Sequence, residues 1–139
     1  VPPLLVVCPS FPSPARASDG QSIYVVEAAR ALARLRGAPL EVMALRVGDE
    51  PEREAGDFFS VTRVAPARPV PSVLHLYEAG VFRPVFEGFA RRVGARAASL
   101  PPGAVLWAHG YELGGALAAA RRAGVPAAGV VHYLVADES

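Results

Sequence analysis

The residues Leu4-Leu5-Val6-Val7-Cys8 form an uninterrupted apolar run stopped by Pro9. A run this short, with no polar position, reads as a strand covered on both faces, because a strand with one wet face would alternate. The loop from Pro9 to Gly20 then carries three prolines, which prevent regular structure, and Ser18 or Asp19 can cap the segment that follows. From Gln21 to Arg36, Glu27, Arg30 and Arg34 share one face while Ile23, Val26, Leu32 and Leu35 lie elsewhere, and Gly37 supplies a stop. The spacing predicts a helix. Leu40 to Val47, with Glu41 as its one internal charge near the start, reads as a second strand. Strand, helix, strand is a parallel crossover unit.

The same grammar continues. Gly48 to Asp57 is the most hydrophilic stretch and is expected to be a solvated loop; Phe58 to Ala65 alternates as a third strand at an edge of the sheet. Ser72 to Gly80 fits a short helix. Pro84 suits the first turn of a longer one, in which Phe86, Phe89, Val93, Ala97 and Leu100 repeat at helical spacing. Ala104 to Ala108 is a fourth strand, Leu113 to Ala123 a helix stopped by Gly124, and Ala127 to His132 a fifth strand. The fold class expected is therefore α/β: a Rossmann-like open parallel sheet of about five strands, order 3-2-1-4-5, with helices on both faces. In such sheets a ligand crevice lies beyond the carboxyl ends of the strands where the winding reverses. That places it between the loop after Cys8 and the loop after Ala108.

With 139 residues, 52% of them hydrophobic, the chain fits one domain. A formal charge of +1, with no clustering of the 14 basic residues, disfavours nucleic acid as a partner. Cys8 is the only cysteine, and no His/Cys group has ligand spacing, so neither a disulfide nor a metal or other cofactor is expected, and the default setting is cytoplasmic. The opening apolar run is too short for a signal segment.

Polar groups collect at three strand ends: Ser10 to Gln21, His109 to Gly115, and His132 to Ser139. Gly20 is either a turn glycine or a point of close backbone approach to a phosphate at a helix N-terminus. No G-x-G-x-x-G accompanies it, which argues against a nicotinamide or flavin enzyme. Gly110-Tyr111-Glu112-Leu113-Gly114 has the spacing of a hydrolase nucleophile elbow, but Glu112 stands where the serine belongs. His109 ends a strand as a ligand contact or a satisfied polar residue; Glu112 orients a hydroxyl, serves as a base, or only favours the helix start. His132 is placed for acid/base work or for structure. Arg16 meets an anion or solvates its loop.

In joint order these segments resemble the N-terminal domain of GT-B glycosyltransferases of group 1, the retaining family four. The residues carrying the likeness are Gly20 followed by Glu27-Ala28-Ala29-Arg30-Ala31-Leu32, then Val105-Leu106-Trp107-Ala108-His109, Gly124-Val125-Pro126 and Val130-Val131-His132. The resemblance implies that residues 1–139 are the acceptor-side half of a two-domain transferase, with the C-terminal donor-binding domain absent. It implies transfer of a sugar from a nucleotide-sugar donor to a sugar, lipid or other small acceptor, with peripheral membrane association of the parent left open. His132 is then the catalytic residue near the donor sugar, and Gly20 and Asp19 lie on the donor side. His109, Tyr111, Glu112 and Arg16 lie on the acceptor side. Asp19 stands where the family has its first glycine, and an inward carboxylate there would repel the diphosphate. The competing class is a noncatalytic nucleotide or sugar-phosphate binding module; a hydrolase-like domain lacking its nucleophile ranks below it.

Overall fold

A computed structural model describes residues 2–11 and 20–130, the side chains of residues 20–22 and 111 aside. In chain order the elements are β1 (Leu4–Val7), α1 (Gly20–Arg36), β2 (Leu40–Leu45), β3 (Arg53–Ala55), β4 (Phe59–Val64), α2 (Phe82–Ala98), β5 (Val105–His109), α3 (Gly114–Arg122) and β6 (Ala127–Val130). Short 3₁₀ turns at Val73–Tyr77 and Tyr111–Leu113 lead into α2 and α3. The sheet runs β3-β4-β2-β1-β5-β6, parallel throughout except for β3 against β4.

The parallel strands take the order expected from the crossover pattern, with β1 at the centre. To the expected five parallel strands a sixth, antiparallel one is added, and the strand near Phe58 to Ala65 is not at the edge, because β3 covers it. The hydrophilic stretch Gly48 to Asp57 is also not simply a solvated loop. Arg53–Ala55 pairs antiparallel with β4 across a tight turn in which the Gly56 N–H donates to the Phe59 carbonyl at 2.8 Å. Within the same stretch Glu50 is buried. Two of the stretch's carboxylates, Glu50 and Glu54, pair with an internal cation, Arg63, while Asp49, Glu52, Arg53 and Asp57 stay exposed.

Alternation along the central strands divides the core in two. Val6, Cys8, Val42, Ala44, Phe59 and Val61 face α1. Leu5, Val7, Met43, Leu45, Leu106 and Ala108 face α2 and α3. Helix α1 meets the sheet through Val25, Val26, Ala29 and Ala33, a narrow stripe of small residues, while Leu35 is 85% exposed and Ile23 stays half exposed. The apolar positions read from spacing alone therefore include two that the core does not use. On α2, Phe86, Phe89, Val93 and Ala97 are buried as their spacing requires. Each helix lies on a crossover, so the N-termini of α1, α2 and α3 gather at the carboxyl edge of the sheet. No helix among the described residues is long and apolar enough to cross a membrane.

Candidate functional site

At the carboxyl edge, the winding reverses between β1, which leads through α1 to β2, and β5, which lies on its other side. Gly20 opens α1 there. Asp19, Arg16 and His132 lie outside the described residues, as does the side chain of Tyr111.

His109 is the last residue of β5 and is completely buried. Strand alternation puts it on the same face as Trp107, beneath α1, with its ring 4.1 Å from the Trp107 ring and 6.0 Å from that of Tyr24. Gly110 follows at φ 121°, a conformation that side chains rarely adopt, and its N–H donates to the Val130 carbonyl at 2.9 Å. This sharp redirection throws the next turn to the opposite face of the sheet. Glu112 accordingly packs on the α2–α3 side, where the Tyr77 hydroxyl donates to its Oε2 at 2.5 Å. Its other oxygen, Oε1, is buried with no hydrogen-bond partner among the described residues. The two acceptor-side candidates, three residues apart in the chain, therefore stand on opposite faces. Glu112 borders a trough of about 530 Å³ between α2 and α3.

A second hollow of about 650 Å³ lies over the ends of β2 and β4, bounded by Pro66, Pro69, Val70, Pro71, Gly48 and Arg46. Gly48, at φ 62°, donates to the Val70 carbonyl at 2.7 Å and so fixes the proline loop against β2. Arg46 brings the only charge to this hollow among the described residues and donates to the Glu50 carbonyl at 2.6 Å.

Behind this edge sits an ionic anchor that sequence reasoning missed. The Arg63 side chain is fully buried on the α1 face of β4. Its Nε and Nη2 donate to the Phe11 carbonyl at 3.1 and 2.7 Å, its Nη1 donates to the Pro51 carbonyl at 3.0 Å, and it pairs with Glu54 at 2.9 Å and Glu50 at 3.7 Å. The signal was a lone charge in the apolar alternation of Phe59–Val64. Arg63 thereby ties the chain just beyond β1 to the β3–β4 hairpin. Cys8 lies in the same region; burial pushes its thiol well up, against the pull of Arg63 and with the help of Glu50. It is a core residue with no reactive thiolate. Tyr77 was also missed, because nothing in its local sequence marks it as the partner of a glutamate 35 positions away.

No family model matches the sequence, and no curated protein does. Among solved structures, the chain is similar to an α,α-trehalose-phosphate synthase (UDP-forming) from Burkholderia xenovorans in complex with glucose-6-phosphate. The TM-score is 0.54 and the identity 18%, over 91% of this chain and 32% of that one. A second trehalose-6-phosphate synthase matches at TM-score 0.48 and 18% identity over 88% of this chain and 32% of its own. The E. coli enzyme bound with UDP-2-fluoro glucose matches at TM-score 0.43 and 18% identity, over 88% and 31%. The chain spans about a third of the length of these neighbours. The likeness is one of fold: a Rossmann-like half of a GT-B architecture.

Proposed function

We propose that this chain is the acceptor-side half of a glycosyltransferase that moves a sugar from a nucleotide-sugar to an acceptor hydroxyl. The observation that carries the reading is the coincidence of a sheet reversing its winding between β1 and β5 with a likeness in fold, over nine-tenths of the chain, to a sugar-transferring synthase. Gly20 opens α1 at that reversal, where backbone N–H groups and the positive end of the helix favour a diphosphate. In this reading Asp19 lies beside that position and His132, following β6, reaches the donor sugar. Glu112 faces the acceptor, with Arg16 and Tyr111 contributing from the same edge, and His109 supports the floor from beneath α1. Chemistry of this kind depends on positioning the two substrates and stabilising the leaving diphosphate. A donor held between two domains needs both walls, so the second wall falls to a further domain. The family-four assignment and retention of stereochemistry remain part of this proposal.

The test uses the full-length protein that contains this chain, with UDP-glucose as the first donor because the Burkholderia synthase is UDP-forming. Acceptor-dependent release of nucleoside diphosphate is expected, together with its loss in His132→Ala and its absence from the 139-residue chain assayed alone. Turnover by the isolated chain would overturn the split site. A full-length protein that binds nucleotide-sugars without consuming any of them would make this a binding module.

A further inference from the structure

We propose that the trough between α2 and α3 is a binding pocket for an alcohol carried on an apolar scaffold, with the Tyr77–Glu112 pair as its polar end. Calling that ligand the acceptor rests on the transferase reading above; the chemistry of the pocket stands apart from it.

Two stripes of residues face each other across the trough. On α2, Phe82, Phe86 and Ala90 follow one another at four-residue intervals; from the 3₁₀ turn into α3, Glu112, Gly115, Ala119 and Arg122 do the same at three or four. The small residues hold the space open. A Cβ built on Gly115 would already lie 3.4 Å from that of Ala90, and one on Gly94 would lie 3.0 Å from that of Ala119, so the two helices touch without side chains to fill the groove above them. At the carboxyl end the wall is aromatic: the Phe82 and Phe86 rings are 4.7 Å apart, and Tyr77 stands 6.0 Å from Phe82. Such a wall takes an aromatic ring or the C–H face of a sugar.

Glu112 decides the polar part of the ligand. It is 92% buried, one oxygen takes the Tyr77 hydroxyl, and the other has no donor among the described residues. A buried carboxylate oxygen left in this way is costly, and a ligand that donates to it removes that cost. The donor could be an ammonium or a hydroxyl. Around the mouth stand Arg83, Arg91 and Arg122 against the single carboxylate of Glu87. That balance repels an ammonium on its way in, while the inner carboxylate repels a phosphate. A neutral hydroxyl satisfies both. At about 530 Å³ the trough has the size of an ordinary small-molecule site.

The probe is phenyl β-D-glucoside, titrated into the isotopically labelled 139-residue chain and followed by amide chemical shifts, with D-glucose and glucose 6-phosphate in parallel. Saturable shifts are expected at Gly115, Ala119 and the neighbours of Phe86, with D-glucose weaker by about tenfold for lack of an apolar body. Glucose 6-phosphate is expected to be weaker than phenyl glucoside. Glu112→Gln, which keeps the shape and removes the charge, is expected to weaken the glucoside by about tenfold. Gly115→Leu is expected to abolish binding by plugging the trough. Shifts elsewhere than the trough in the wild-type chain, tighter binding of glucose 6-phosphate, or an unaffected Gly115→Leu variant would each overturn the proposal, and the wild-type mapping holds even if a variant fails to fold. Failure here, with nucleotide-sugar turnover intact in the full-length protein, would leave the transferase standing. Binding here with no such turnover would do the reverse.

Discussion

Replacing Arg63 with methionine removes the guanidinium while keeping an unbranched apolar side chain of similar reach. The Phe11 and Pro51 carbonyls lose the guanidinium donors, and the buried Glu50 carboxylate loses its nearby cation while its Oε1 keeps the Val47 N–H. Glu54, with its side chain about a third exposed, can turn to solvent and contributes little. Removing one member of a buried ion pair costs about 3–5 kcal/mol. Two orphaned carbonyls would add about 1–3 kcal/mol each if each stayed dry, but such losses share one network and do not sum. An expected destabilisation of about 4 kcal/mol is a large part of the 5–15 kcal/mol typical of a domain. The assay is urea unfolding followed by far-ultraviolet circular dichroism and by the fluorescence of Trp107, the chain's one tryptophan. The midpoint is expected to fall with an unchanged slope. The double variant Arg63→Met with Glu50→Gln is expected to recover part of the loss, because the uncompensated charge is then gone. A single-variant loss under 1 kcal/mol, or a double variant no better than the single, would refute the account of Arg63 as the charge that holds the segment after β1 to the hairpin.

Gly94→Ala places a methyl 3.0 Å from the Cβ of Ala119, so it must push α2 and α3 apart; despite its better helix propensity, thermal unfolding is expected to show a loss of about 1–3 kcal/mol. The raised Cys8 thiol is a stability statement: the unfolded thiol ionises near pH 8.5 while the folded one stays protonated, so the unfolded state binds fewer protons above that point. The contribution of Cys8 is full below about pH 8.5 and is lost as pH rises. The stability of the wild type relative to Cys8→Ala should therefore fall by up to about 1.4 kcal/mol per pH unit between pH 9 and 10, as read by urea unfolding. A pH-independent difference would show that the thiol is not buried in the folded state.

The parallel core was legible because its strands are apolar almost without interruption: Leu4–Val7, Leu40–Leu45 and Val105–His109 carry almost no polar residue, and α1 and α3 stop at Gly37 and Gly124. β3 was not, since Arg53-Glu54-Ala55 has no alternation and only Ala55 as an apolar residue. It is a strand because Glu54 lies across from Val61, on the face where Arg63 needs a carboxylate. In the candidate site, the ends of β1 and β5 could be named from the topology. That His109 turns under α1 could be read from its parity with Trp107, but the opposite placement of Glu112 depends on the positive φ of Gly110, which a glycine permits without announcing. The Tyr77–Glu112 contact depends on how α2 crosses the sheet, which no local pattern encodes.

The two margins of the sheet differ in a way that bears on how it meets other chains. On one side β3 is three residues long, antiparallel and charged, with Arg53 and Glu54 preceding its only small side chain, Ala55. A strand so short and ionic offers a poor template for further pairing. On the other side β6 is Ala-Ala-Gly-Val, uncharged, and Gly129 at its centre is exposed. Among the described residues no further strand pairs with its outward row of N–H and C=O groups. Of the two margins so described, the β6 side, nearer Glu112, is the better template for another strand.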